Sequence, residues 1–247
     1  MALSARHADR HYRLTGVKHF VADAAAANLL IVAARVETIS AGDGELALLL
    51  VDPTSPGVSV RPVDYLEQTR KVCEVRFEDV AVPEASRLLG AEPIETVLEQ
   101  IHDHARVAVC AEACGGAERV LELSVEYART REQFGQPIGR FQSIQHKCAD
   151  MLVQTEGIRS AAYYGAWAID AGEPDRHLSS CLAKAYCCDA YALVAAEGIQ
   201  IHGGLGFTWE QDLHLYFKHA KASALAYGSP THSRELAARQ LLDAPAP

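Results

Sequence analysis

The chain changes its pattern of apolar and polar residues partway along, from a period of two to a helical period. Up to about residue 80, segments 12–21 and 29–36 alternate between apolar and polar side chains, which predicts strands. A third strand is predicted at 46–51 because turn-forming residues flank it: Gly42, Asp43, Gly44, Pro53, Pro56 and Gly57. Cys73, Val75 and Phe77 alternate with charged neighbours, which indicates a sheet with one wet face.

From about Glu95 the apolar positions recur every three or four residues, as they do on one face of a helix. This spacing predicts a long helix that ends near Gly172 and a following helix that ends at the glycine cluster beginning with Gly203. Segment 229–239 predicts a last helix with a serine N-cap followed by proline. The pattern leaves open whether the glycines at 115–116 interrupt the first helix.

These two regions predict the α+β class. We expect a partial antiparallel β domain over residues 1–92, followed by an up-and-down, four-helix-bundle-like all-α domain over 93–247 that ends in a frayed tail at 244–247. Of the 247 residues, 49% are hydrophobic, which is enough for a globular core.

The net charge and the cysteines limit the classes of partner, ligand and cellular location that we expect. The formal net charge of −9 disfavours nucleic acid and anionic membrane surfaces. No apolar run reaches the roughly 18 residues that span a bilayer, and segment 1–13 is polar rather than signal-like, so we expect a cytoplasmic protein. The seven cysteines predict reduced core residues. Cys110 and Cys114 are one helical turn apart but lack a complementary pair, so no metal is expected.

Two short strings carry the candidate chemistry. Gly203 and Gly204 leave main chain without a Cβ cover, so a bulky phosphate or flavin can approach closely. Arg131 lies in the string Arg-Glu-Gln-Phe-Gly and can neutralise a pyrophosphate through forked, charge-assisted hydrogen bonds. Either string alone is weak. Together they indicate a dinucleotide site.

These strings, with segments 16–23 and 77–90 in the same order, resemble the acyl-CoA dehydrogenase family, whose members are flavoproteins that desaturate acyl thioesters. The match covers part of the middle β domain and the C-terminal helical domain. The resemblance implies FAD as cofactor. It also implies that a flavin, in family tetramers that of a neighbouring subunit, is contacted by Arg131, Gln133, Phe134, Gln142, Gln200, Gly203 and Gly204.

The resemblance assigns further residues around the flavin and the acyl-CoA. Phe20, with Val21 and Ala22, matches the strand that faces the flavin ring, whereas a buried strand phenylalanine is the alternative. Asp103 and Arg106 match positions near the CoA end and the floor of the active site; an exposed i, i+3 pair is their alternative. For Arg131 the alternative is a solvated cation at a helix C-terminus.

The family's catalytic glutamate has no counterpart. Tyr227 occupies its usual position, and Ala105 occupies the position that some members use instead. A phenol with a pKa of about 10 is a poor base at neutral pH. Glu112 and Asp212 are weaker candidates. His202, next to the glycines, is interpreted as space-filling rather than as a proton carrier.

Two functions follow as expectations. The first is an FAD-dependent acyl-CoA dehydrogenase, or a subunit of one, that desaturates an acyl-CoA thioester. The second is a catalytically inactive structural subunit that completes a partner's flavin site. A third alternative is a relative that oxidises or hydroxylates other substrates. Family members carry further helical and β segments before the match. Either this sequence is a fragment, or a partner subunit supplies the missing surface. The assemblies expected are a homo-oligomer and a hetero-oligomer with a full-length subunit.

Overall fold

The computed structural model describes residues 3–37 and 44–242, which fall into two compact units. The first ends at Leu98 and the second begins at Glu99. The predicted domain boundary between residues 92 and 93 stays a prediction. The expected turn at Gly42 and Asp43 and the expected tail at 244–247 lie outside the described residues.

The first unit contains a six-stranded sheet. Its strands are β1 Ser4–Ala8, β2 His11–Ala22, β3 Leu30–Glu37, β4 Glu45–Val51, β5 Val58–Pro62 and β6 Val72–Pro83. The strands are arranged in the order β4-β3-β1-β2-β6-β5. Each neighbouring pair is antiparallel except β1 with β3, which is parallel.

The alternation in β6 places one side of that strand in the core. Cys73, Val75 and Phe77 are almost fully buried, whereas Arg76 and Glu78 between and after them are exposed. Two strands, β1 and β5, were not predicted. β1 is joined to β2 by a tight turn in which Asp9 and Arg10 both have positive φ, as in the hairpin turns that match strand twist.

The helical part of the chain contains five helices and a small hairpin within the described residues. The helices are α1 Ile94–Thr130, α2 Gln142–Asp170, α3 Arg176–His202, α4 Leu213–Leu225 and α5 Pro230–Leu242. The hairpin between α1 and α2 pairs β7 Glu132–Gln133 with β8 Gln136–Pro137. Short 3-10 turns occupy Glu84–Ser86, Ile138–Arg140 and Gly203–Phe207. This mixture confirms the α+β class.

Helix α1 passes through Gly115 and Gly116 without a break. The reason lies in how α1 packs on α3. A Cβ built on Gly116 would lie 2.4 Å from the hydroxyl oxygen of Tyr191, a fully buried α3 residue. Gly116 is therefore needed for close helix approach, and the tertiary contact compensates for its poor helix propensity.

A buried lysine fixes the end of α4. The Nζ atom of Lys184 on α3 donates to the carbonyl oxygens of Ser223 and Ala224, at 2.8 and 3.2 Å, and lies 3.2 Å from the Sγ atom of Cys188. It thus caps main-chain carbonyls in the last turn of α4, where a cation also complements the helix dipole.

All seven cysteines are free, and all but Cys148 are buried. The reduced state expected for them is therefore the one that the structure has. Among the described residues, no helix combines the length and the apolarity that crossing a membrane requires.

Candidate functional site

The second unit has an open cavity of about 480 Å³ where the end of α1, the β7–β8 hairpin, the start of α2 and the end of α3 meet. Its wall brings together five residues that the sequence predicted as flavin contacts: Arg131, Gln133, Phe134, Gly203 and Gly204. The cavity also contains residues that were not predicted as contacts: Tyr127, Ile138, Phe141, Ser143, Ile144, Ile201 and His202. Gln142 and Gln200 are exposed but do not line it.

The hairpin presents its aromatic residue to the surface. Phe134 has φ 54° and Gly135 has φ 77°, so the two residues at the tip are both left-handed. This backbone is typical of a two-residue hairpin turn, in which glycine is favoured and phenylalanine is strained. The Phe134 side chain is 92% exposed and meets Phe141 edge-on, with ring centroids 6.0 Å apart. A strained, exposed ring at a cavity rim indicates a binding role.

The glycine pair forms an uncovered stretch of main chain. Gly203 ends α3 with φ 61°, a conformation that favours glycine. A Cβ placed on either Gly203 or Gly204 would meet no atom within 4 Å. The Gly203 amide already donates to the carbonyl of Gln200. Gly203 therefore leaves room for a ligand to approach the main chain but does not offer a free amide donor.

Arg131 is held by its backbone and leaves its side chain open. Its amide donates to the carbonyl of Tyr127, and its carbonyl accepts from the amide of Ile138, both at 2.8 Å. The guanidinium has no hydrogen-bond or ion-pair partner in the described part of the chain. A fixed backbone with an open cation at a cavity wall is suited to an anionic ligand.

His202 is fixed from two sides. Its ring stacks on that of Tyr127, with centroids 4.2 Å apart and an interplanar angle of 22°. Its Nδ1 atom lies 2.9 Å from the carbonyl oxygen of Gly198. Burial lowers the pKa of His202 below its ordinary value, against the opposing effect of this hydrogen bond. The stack of His202 on Tyr127 could not be predicted from the sequence, because the two residues lie on different helices.

Phe20 lies in an irregular part of β2 in the first unit. The pairing of β2 with β6 shifts register between Lys18 and Val21, and Phe20 has φ 54°. Such an irregularity re-aims a side chain, and Phe20 is 69% exposed. The alternative of a buried strand phenylalanine is therefore wrong. Val21 is half-buried and Ala22 is exposed.

Asp103 and Arg106 form a buried ion pair rather than the exposed pair that was the alternative. They are 3% and 4% exposed, and the distance from the Nη1 atom of Arg106 to the Oδ1 atom of Asp103 is 2.9 Å. The same carboxylate accepts from the Ser180 hydroxyl at 2.5 Å and pairs with Nδ1 of His177 at 2.9 Å. The Nε2 atom of His177 lies 3.5 Å from Glu99.

This network shifts two pKa values. Burial alone would raise the pKa of Asp103, but hydrogen bonds from His177 and Ser180 outweigh it, and the pKa is lowered. The hydrogen bond to Asp103, followed by that to Cys181, raises the pKa of His177 to about 10. His177 is therefore charged at neutral pH, and three α3 and α1 side chains satisfy one buried carboxylate.

No carboxylate occupies the predicted base positions. Tyr227 is 47% exposed with φ 54°, in the turn between α4 and α5, and Ala105 is half-buried on α1. Glu112 is exposed, with its carboxylate 3.9 Å from Nε2 of His219, and Asp212 is exposed before α4. In the described ranges, no three His, Cys, Asp or Glu side chains form a group that could hold a metal.

The fold and the cavity define an α+β protein with an open cavity at a glycine-terminated helix. Residues 94–242 match the family described as acyl-CoA dehydrogenase, C-terminal domain, and residues 1–80 match acyl-CoA dehydrogenase, middle domain. The chain belongs to the acyl-CoA dehydrogenase family, which confirms the resemblance read from the sequence. Members of this family are oxidoreductases that act on CH–CH groups and generally depend on FAD.

Individual relatives agree. The chain is 36% identical to acyl-CoA dehydrogenase IpdE2 of Mycobacterium tuberculosis, over 76% of this chain and 55% of that protein. It is 32% identical to the short-chain specific acyl-CoA dehydrogenase of Megasphaera elsdenii, over 92% of this chain and 59% of that protein. The solved structure of butyryl-CoA dehydrogenase from Megasphaera elsdenii superposes with a TM-score of 0.89 at 31% identity, covering 97% of this chain and 63% of that one.

Proposed function

We propose that this chain forms part of an FAD-dependent acyl-CoA dehydrogenase that introduces a double bond between the α and β carbons of an acyl-CoA thioester. The observation that carries the proposal is the single cavity whose wall includes both the open guanidinium of Arg131 and the uncovered glycines 203 and 204. The chain spans 55% and 59% of the two relatives compared above.

The cavity residues fit the diphosphate of FAD. A diphosphate needs a cation and space beside the main chain, and Arg131 supplies the first while Gly203 and Gly204 supply the second. The exposed ring of Phe134 offers an apolar surface at the rim. When bound, FAD accepts a hydride from the β carbon of the acyl group.

The family likeness assigns roles to residues outside the cavity as well. In the first unit, the exposed ring of Phe20 is available to pack on a flavin ring, and Ala22 offers no hydroxyl to such a ring. The family likeness places Asp103 and Arg106 by the CoA end. The Asp103 carboxylate is bound by Arg106 and by two α3 side chains, whereas the buried Nε atom of Arg106 has no partner among the described residues. Their proposed role is to hold α1 and α3 in register at that end rather than to bind CoA directly.

The base for the α proton is proposed to come from outside this chain. Tyr227 stands at the usual position, where it offers a phenol rather than a carboxylate. A partner subunit in a homo- or hetero-oligomer is the proposed source. The CoA thioester class is supported by relatives such as the glutaryl-CoA dehydrogenase solved with glutaryl-CoA, which covers 99% of this chain at 26% identity and a TM-score of 0.90.

The flavin site is tested by changing Arg131→Ala and titrating the protein, in the assembly in which it purifies, with FAD after removal of bound flavin. The loss of one charge-assisted contact is expected to weaken FAD binding by about 10- to 100-fold. The matched control is Arg129→Ala, which removes an exposed arginine in the last turn of the same helix and outside the cavity. Equal FAD affinity in the two variants contradicts the site and supports the helix-dipole alternative.

The reaction is tested separately by adding acyl-CoA to the flavin-loaded assembly without oxygen. Loss of the visible flavin absorbance is the result expected for a dehydrogenase. Retention of the absorbance with a series of acyl-CoA chain lengths contradicts the proposed activity and favours the inactive structural subunit.

A further inference from the structure

The imidazole of His202 has one defined tautomer. A carbonyl oxygen can only accept a hydrogen bond, so the Nδ1 atom that lies 2.9 Å from the Gly198 carbonyl carries the proton. No acidic side chain pairs with His202 within residues 3–37 and 44–242. The ring is 5% exposed and stacked on Tyr127, and a half-turn of the ring would replace Nδ1 by a carbon atom and break the hydrogen bond to the Gly198 carbonyl.

The second ring nitrogen is left for a ligand. With the proton on Nδ1, the Nε2 atom of His202 carries a lone pair and is an acceptor. It makes no hydrogen bond to any described residue, and His202 lines the cavity. An oriented acceptor that has no protein partner and is not fully buried is open to a donor on a ligand that enters the cavity.

We propose that the Nε2 atom of His202 accepts a hydrogen bond from a neutral O–H or N–H donor on the nucleotide half of the ligand and so determines which nucleotide the cavity binds. This inference rests on the proposed flavin site and adds a recognition residue to it. The donor is either a ribose hydroxyl or the amino group of the base, since both belong to the adenosine portion of FAD.

A phosphate cannot be the partner of this nitrogen. Phosphodiester oxygens are deprotonated at neutral pH and only accept hydrogen bonds, so they would oppose the Nε2 lone pair. The open cation of Arg131, on the same cavity wall, is the group suited to the charge. The cavity thus has one group for the anion and another for an uncharged donor.

The test compares His202→Phe with His214→Phe in FAD titrations. The phenyl ring keeps the shape needed to stack on Tyr127 but has no acceptor. Loss of one neutral hydrogen bond is expected to weaken FAD binding by about three- to tenfold. His214 is a matched control because it is also a buried histidine, meets the ring of Trp209 edge-on with centroids 4.5 Å apart and does not line the cavity. Equal FAD affinity of His202→Phe and the control overturns the inference.

Two flavin dinucleotide analogues identify the donor and keep the test valid if His202→Phe folds poorly. One analogue has 2′,3′-dideoxyadenosine, which lacks both ribose hydroxyls, and the other has purine riboside, which lacks the amino group. The unaltered protein is expected to bind one of them about three- to tenfold more weakly than FAD, and His202→Phe is expected to show no such difference. If the unaltered protein binds both analogues as tightly as FAD, the inference is wrong. This result leaves the proposed flavin site intact as long as Arg131→Ala still loses FAD.

Discussion

Two arginines of the helical region, one within α1 and one just after it, have opposite surroundings. Arg106 is 4% exposed and its guanidinium is bound to Asp103, which is itself bound to two α3 side chains. Arg131 is exposed, and its guanidinium has no partner in the described part of the chain. The likeness to the family assigns both to the site. The buried charge of Arg106 holds helices together, whereas the exposed charge of Arg131 is available to a ligand.

The difference has an energetic reason. A buried charge is tolerated only where several partners replace its hydration, so removing one partner leaves a large uncompensated cost. An exposed charge keeps its hydration and contributes little to folding, and it gains energy when a phosphate arrives. Changes in the closed network should therefore affect stability, and changes at the open cavity should affect binding.

The largest expected effect is that of Asp103→Ala. This change leaves Arg106 buried without its carboxylate and should lower the free energy of unfolding by about 3–5 kcal/mol. The measurement is urea denaturation followed by circular dichroism. The control is Glu122→Ala, which removes the partner of Arg119 in a pair that is 52% and 57% exposed and should change the free energy of unfolding far less.

A cost for Asp103→Ala that equals the control would mean that the two arginines do not differ as described. Asp103 would then be available as a ligand contact.

A pH series sharpens the comparison. The pKa of His177 is raised to about 10 in the folded protein, above its ordinary 6.5, so folding favours the protonated ring. The stabilisation is complete below about pH 6.5 and is lost as the pH rises from there through about 10. The melting temperature should therefore fall over this range more steeply than in His177→Gln. Parallel pH profiles for the two proteins would show that the charge of His177 does not support Asp103.

The smallest expected effect on stability is that of Gly204→Ala. A Cβ at this position meets no atom within 4 Å, and Gly204 does not have positive φ, so stability should change by less than about 0.5 kcal/mol. FAD affinity should nevertheless fall, because the methyl group covers the main chain that the diphosphate approaches.

Gly116→Ala is the contrasting variant, because its Cβ would overlap the Tyr191 hydroxyl. This change should lower the free energy of unfolding by about 1–3 kcal/mol. Unchanged FAD affinity in Gly204→Ala would remove the glycine pair from the site.

The sequence predicts the elements that have a clear local period of apolar residues. The alternation around Cys73 and Phe77 and the three- and four-residue spacing after Glu95 correspond to β6 and to the helices. Strands β1 and β5 are five residues each, too short for a clear alternation, and were missed. Position 116 shows the limit for helices, because only the packing of Tyr191 explains why two glycines do not interrupt α1.

The candidate site divides in the same way. A cation in one string and glycines in another could be found by inspection, and the structure places them on one cavity wall. The burial of Asp103 could not be predicted, because its partners His177 and Ser180 are 74 and 77 residues away and an i, i+3 pair has the same spacing on any helix face. The outward position of Phe20 depends on a register shift that has no sequence signature.

The turn that carries Tyr227 is anchored without its side chain. Lys184 holds the carbonyls of Ser223 and Ala224 before it, and the Ser229 hydroxyl accepts the amide of His232 after it. Tyr227 and Gly228, with φ of 54° and 100°, lie between these two anchors. The conformation of this turn is therefore held by contacts that do not involve the side chain at position 227. A carboxylate or a phenol can therefore stand at this position on the same backbone. The chemistry of the side chain can change here while the fold stays the same.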